Sequence, residues 1–251
     1  MFNKKISGLY YSVILLLIFL FLDSCKSVYI PNAINAPFLT EKKQGQAAFS
    51  YGTSNLDGQA AYSFADNFAA MANFSFWHLY KIKQRYHDHR FFEGGAGYYN
   101  KINKSWLFDA YSCLGFGSTD IHIRGAELSM VDGKYFRAFL QPSIGLVTET
   151  FEGGFSLRMC YVNFLKFSVS NSDFKNPASY YLEPVLTGKV GTDKLKFFAQ
   201  IGISVPMGNK AFNTDYDYQN FIFNLGISYK IFYPPKRAGR SVRYHRDYLG
   251  L

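Results

Sequence analysis

Residues 194–206 read KLKFFAQIGISVP. Leu195, Phe197, Ala199, Ile201, Ile203 and Val205 fall on one side, and Lys196, Phe198, Gln200, Gly202 and Ser204 on the other. A residue period of two held this long marks a β-strand with one apolar face and one polar face. The run is long for a strand of a soluble domain. It is close to the ~9–11 residues a tilted strand needs to cross a bilayer.

Working outward, the same alternation recurs along most of the 251 residues. It predicts strands over residues 45–52, 57–64, 68–77, 90–100, 106–117, 135–148, 154–167, 179–190, 194–206 and 221–231. The outward sets are clearest in Ala70, Ala72, Phe74 and Phe76, and in Phe108, Ala110, Leu114 and Phe116. A third is Phe221, Phe223, Leu225, Ile227 and Tyr229. Pro142 and Pro184 lack the N–H that a ladder needs, so each predicts a bulge. Four connections are short: 65–67, 101–105, 149–153 and 191–193. Four of the five on the other side are long: 78–89, 118–134, 168–178 and 207–219. Short turns at one end and longer loops at the other are expected of an outer-membrane barrel. The fold class expected is all-β: a closed antiparallel transmembrane β-barrel of about ten strands. Closure follows from the solvent, because lipid offers no partner to an open sheet edge. The rival all-β reading is a soluble periplasmic lipoprotein sandwich, whose strands also alternate.

Composition fits the barrel. Aromatic residues make up 19% of the chain, slightly more than the 18% that are charged, as suits a wall ringed by aromatic girdles. The girdle candidates are Tyr51, Trp77, Tyr98, Tyr99, Trp106, Tyr161, Tyr180, Tyr229 and Tyr233, most of them near strand ends.

The amino terminus reads as an export signal. Lys4 and Lys5 precede a short apolar core over residues 13–22, too short to be read as part of the fold. Leu22-Asp23-Ser24-Cys25 follows and resembles the lipidation site of bacterial lipoproteins, which implies an acylated Cys25. The domain plan is then a signal over 1–24, a tether over 25–44, a barrel over 45–233 and a basic tail over 234–251. The tether is inferred from Pro31, Asn32, Asn35 and Pro37 and the lack of any period. An even strand count puts both barrel termini on the periplasmic side, where a lipid on Cys25 would enter the inner leaflet.

The candidate functional residues are the charges on inward faces: Glu93, Asp109, Arg137, Arg158, Glu183, Lys189, Lys196 and Lys230. A barrel this narrow is filled by its own side chains, and buried charges need partners. Asp109 with Arg137 and Arg158 with Glu183 are the expected pairs. Cys113 and Cys160 are read as two lumen-facing thiols with a whole strand between them, ~10 Å apart and beyond disulfide reach. His87-Asp88-His89 is the one histidine cluster. It could hold a metal if extended, but Lys81, Lys83, Arg85 and Arg90 surround it, and it is read as solvated loop. No CxxC spacing exists, no cofactor is expected, and no Ser/His/Asp set has motif support, so no catalysis is expected. Lys236, Arg237, Arg240, Arg243 and Arg246 contribute to the net charge of +9 and suit anionic headgroups or another periplasmic contact. Export disfavours nucleic acid. The partner expected is outer-membrane lipid.

Residues 31–52, PNAINAPFLTEKKQGQAAFSYG, and 57–76, DGQAAYSFADNFAAMANFSF, resemble a group of Bacteroidetes outer-membrane barrel proteins of unknown function. In that group a proline-rich start precedes an Ala-Tyr-Ser hairpin, here Ala61-Tyr62-Ser63. The resemblance implies fold and location and lends no catalytic residue. The functions expected are a structural, interaction or narrow-pore role, with a barrel enzyme acting on lipid or cell-surface substrate as the alternative.

Overall fold

The computed structural model describes residues 28–82, 85–123, 129–170, 172–173, 178–207 and 219–232. The signal, Cys25 and the basic tail lie outside them. The strands in chain order are β1 (Gln44–Gly52), β2 (Asn55–Ala65), β3 (Phe68–Ile82), β4 (Arg85–Lys101), β5 (Trp106–Ile123) and β6 (Ser129–Val147). They continue with β7 (Phe151–Val169), the two-residue β8 (Ser172–Asp173), β9 (Ala178–Gly191), β10 (Leu195–Ile203), its short continuation β11 (Val205–Met207), and β12 (Phe221–Phe232).

Ten of these close a ring. Each strand pairs antiparallel with its neighbour in sequence from β1 to β7; then β7 pairs with β9, β9 with β10 and β10 with β12. The seam joins β12 to β1, from Gln44↔Phe232 to Gly52↔Asn224. The sandwich is excluded, because the alternating apolar face turns away from the sheet's interior and meets no second sheet. Phe197 is 68% exposed and Phe116 63%, while Lys196 and Gln200 are buried.

The prolines keep the register. Leu157↔Pro184 and Ala110↔Pro142 stay in line with their neighbours. On β9's other side pairing stops at Val185↔Gly202 and resumes in the same register at Leu182↔Val205. Pro184 therefore interrupts a ladder without bulging it. The register shifts lie elsewhere, at Lys134/Tyr135, between Ser63 and Ala65 and between Leu79 and Ile82.

The loop reading needs a larger correction. Residues 78–89 and 118–134 mostly continue the strands: β3 runs to Ile82, β4 begins at Arg85, β5 reaches Ile123 and β6 begins at Ser129. Their outward positions change chemistry at one level, from Phe76 to His78, Phe92 to Arg90, Phe116 to Ser118 and Phe136 to Lys134. Charged outward positions looked like loop because an apolar outer face was expected throughout. The strand simply outlasts the apolar band. From Trp106 to Phe116 that band covers ten residue steps, about 25 Å of height at ~3.3 Å per residue and a ~40° tilt. β1, β2, β10 and β12 lack such extensions, so the wall is tall on the β4–β7 flank and low on the other.

Exposed Tyr62, Tyr98, Trp106 and Tyr229 ring the short-turn end, and exposed Tyr51 and Tyr180, with half-buried Tyr161, ring the loop end. Two girdle candidates point inward instead. Tyr99 is buried, its hydroxyl 2.6 Å from that of Ser63, and Trp77 stacks on His87. Tyr98 and Tyr99 are adjacent, so only one can face out. Tyr233 lies outside the described residues.

The stretch read as a tether is the largest departure. Residues 28–39 are buried throughout, inside the ring. At the short-turn end Phe38 takes a positive φ of 46°, a region a bulky residue rarely occupies. Its ring fills the space that a Cβ on Gly145 or Gly154 would need, 2.7 and 2.4 Å from its nearest atom. Gly154→Val should therefore displace Phe38 and destabilise the fold by about 1–3 kcal/mol. The measurement is the urea midpoint in detergent, and an unchanged midpoint would show that Phe38 is not held there.

Candidate functional site

The segment through the lumen joins no ladder beyond an isolated bridge at Tyr29, so its backbone polar groups need partners from side chains. The inward amides supply them. Gln200 accepts from Ile34 N at 3.1 Å and donates to Ile34 O at 2.6 Å. Gln59 donates to Ala33 O and Gln141 to Asn35 O, both at 2.9 Å. Asp57 accepts from Ala33 N at 3.2 Å. Asn35 donates to Asn73 Oδ1 at 2.7 Å. The amide-rich inner face is the socket of this plug.

Above these contacts a ring of ionic and polar groups closes around Asn32. Its side-chain oxygen accepts from Arg137 Nη2 at 2.6 Å and Arg158 Nη1 at 2.8 Å, and its amide donates to Glu93 at 3.0 Å. Arg137 is ion-paired with Glu93, and Arg158 Nε donates to Glu183 at 2.6 Å. Tyr29 completes the circuit. Its hydroxyl accepts from Arg137 Nη1 at 2.9 Å and donates to Glu183 Oε1 at 3.1 Å. Arg137 also lies 4.2 Å from the centre of the Phe91 ring, a cation–π contact. Both arginines are fully buried. Each has a carboxylate and further acceptors, which is the condition for keeping a charge in a dry interior.

A second charge cluster sits at the short-turn end. Glu152 meets Lys230 at 2.6 Å, Lys196 at 3.4 Å and Lys189 at 3.5 Å. These lysines also hold the plug and the turns: Lys189 donates to Ala36 O at 2.7 Å, Lys230 to Phe38 O at 3.2 Å and Lys196 to Thr192 O at 2.7 Å. Just outside, a recess of about 370 Å³ lined by Thr40, Trp106, Lys196 and Lys230 opens at the turns.

At the loop end aromatic groups roof the lumen on the tall flank. His89 Nε2 lies 2.6 Å from Tyr135 Oη. Tyr135 packs against Phe91 and Phe164, and Phe164 against Phe167. His87 and His89 are buried here, so the histidine cluster is a roof element and not solvated loop. Among the described residues no group of three His, Cys, Asp or Glu is placed to hold a metal.

Of the eight inward charges expected from sequence, all are buried. Arg158–Glu183 pairs as expected. Asp109 does not pair with Arg137, whose carboxylate is Glu93; Asp109 faces Ser143 in the register. The thiols of Cys113 and Cys160 are free and buried, on strands flanking Phe139 of β6. Sequence reasoning missed Tyr29, Asn32, Asp57 and Glu152. One signal was present: residues 28–39, VYIPNAINAPFL, contain no charge, an unusual composition for a solvated tether. With Asp57 and Glu152 added, the described residues place five acids (Asp57, Glu93, Asp109, Glu152, Glu183) and five bases (Arg137, Arg158, Lys189, Lys196, Lys230) in the lumen.

No family model and no curated protein matches this sequence. Among solved structures, the chain is similar to the translocator domain of the autotransporter NalP from Neisseria meningitidis, at 12% identity and a TM-score of 0.45, over 74% of this chain and 86% of that one. The likeness is one of outline, and the reading below rests on this barrel's own residues.

Proposed function

We propose that the protein is a lipid-anchored outer-membrane β-barrel of the Bacteroidetes type with a sealed lumen, acting as a structural or interaction protein and not as a pore. The observation that carries this is the plug. Residues 28–39 occupy the interior, and Gln59, Gln141, Gln200, Arg137, Arg158 and Lys189 from the inward faces are bonded to them. Placement in a bilayer is supported by the band of exposed apolar side chains, its aromatic rims and the abrupt change to charge at the loop end. The short turns and both ends of the barrel face the periplasm, the tall flank faces outward, and Cys25 carries the acyl group. The basic tail contacts anionic headgroups or another periplasmic surface.

The role is non-catalytic in this reading. His89 is engaged with Tyr135, and the buried carboxylates other than Asp109 are bonded within the lumen. Planar-bilayer recording of the purified full-length protein should show no single-channel steps. Steady conductance from folded, heat-modifiable protein would refute the sealed lumen.

A further inference from the structure

We infer that the chain is threaded, so that the polypeptide upstream of Val28 leaves the barrel at the loop end, opposite the turns where β1 begins. The inference rests on the membrane placement proposed above only for naming the two sides.

The plug has a direction. Phe38 lies at the short-turn end against Gly145 and Gly154, with its carbonyl held by Lys230. Ile34 is level with Gln200 in the middle of β10. Asn32 reaches Glu93, Arg137 and Arg158. Tyr29 stacks on Tyr181 at 4.5 Å, and its carbonyl accepts from Gln219 N at 2.9 Å, just before the loop-end start of β12. The climb from Phe38 to Tyr29 takes nine residue steps, at most about 30 Å of chain at ~3.3 Å each. That is enough to span the ~25 Å height of the apolar band.

The chain has no way back down. Every level below Tyr29 is already filled by residues 30–39 and by inward side chains that are almost completely buried. A second strand of polypeptide beside them would need roughly another 5 Å of width. The exit is instead on the low side of the rim. The aromatic roof of His89, Tyr135, Phe164 and Phe167 belongs to the tall flank; the Tyr29 ring meets Tyr135 edge-on at 6.2 Å beneath it, while the Tyr29 backbone carbonyl is tied to Gln219 beside β11 and β12, where the wall is short. Cys25 is three residues before Val28, about 10 Å of chain. An acyl group on Cys25 therefore lies at the loop-end face, not in the leaflet beside the turns. This replaces the inner-leaflet position that a free tether would imply.

The test compares two single cysteines in otherwise full-length protein. Lys26→Cys reports the upstream segment and Asp193→Cys reports the β9–β10 turn. Cys113 and Cys160 are buried and give little background, and the parent protein, which keeps Cys25, supplies the baseline against which both variants are read. Intact cells are treated with a membrane-impermeant maleimide, before and after permeabilisation, and folding is checked by heat-modifiable migration. Labelling of Lys26→Cys in intact cells with Asp193→Cys reacting only after permeabilisation is the expected result. The reverse pattern also supports threading, and would overturn only the proposed orientation of the barrel. Equal reactivity of the two positions in intact cells would place both on one side and overturn the inference.

Discussion

Removing residues 28–39 should turn a silent barrel into a conducting one. The wall does not depend on the plug for its backbone bonds, since the ten strands satisfy one another around the closed ring. The plug instead occupies the volume that water would take. Its removal strips partners from Gln59, Gln141, Gln200 and Lys189, and takes Tyr29 and Asn32 out of the arginine ring. Those side chains would be left facing one another across an empty polar tube. Buried polar groups without partners recruit water, so hydration should follow rather than collapse onto an apolar void. The expected change in planar bilayers is from no steps to stable single-channel steps. The five acids and five bases of the lining predict weak selectivity between cations and anions. A deletion variant that keeps heat-modifiable migration and still fails to conduct would show that the wall closes on itself and that the plug is not what seals it.

The second large effect is expected at Glu93. Glu93→Met leaves Arg137 buried without its carboxylate and removes the acceptor of the Asn32 amide. Breaking a buried ion pair from one side costs about 3–5 kcal/mol. Arg137→Met leaves the opposite charge stranded and should cost a similar amount. The double variant removes both charges and replaces them with apolar volume, so it should lose clearly less than the sum of the two singles. The measurement is the urea midpoint for loss of the compact gel form in detergent, across the four proteins of the cycle. Strict additivity would mean that Glu93 and Arg137 act independently despite their contact. Asn32 makes the outcome informative, because it accepts from both arginines. Some of the loss in each single variant therefore reaches Arg158 and Glu183 through the plug.

What could be read from sequence divides along a physical line. Which face of each strand points out is set by neighbours two positions apart, so Phe197 against Lys196, or Phe116 against Cys113, was legible from residue type alone. Partners across the lumen depend on strand register and stagger, which no local pattern encodes. Asp109 and Arg137 looked like a pair because both were inward, yet Arg137 sits opposite Gly115 and Asp109 opposite Ser143. The strand extensions were hidden by their own chemistry. Arg90, Lys134 and Lys166 are outward like Phe92 and Phe136, but they stand above the apolar band. Glu152 was assigned to a turn although β7 begins at Phe151. The plug was the least legible. Residues 28–39 have no periodicity because they belong to neither helix nor sheet ladder, and their burial comes entirely from groups far away in sequence, such as Glu183 for Tyr29 and Gln200 for Ile34.

The seam between the first and last strands has a consequence for the order of events during assembly. The free edge of Gln44–Gly52 has no mate until Phe221–Phe232 has been made, so a half-finished sheet carries a bare flank until the ring can shut. Residues 28–39 have to be laid down while that gap is still open, because the finished interior is too crowded to admit a latecomer. Like a cask built around its contents, the protein sets its centre first, raises its staves next, and draws the hoop tight last.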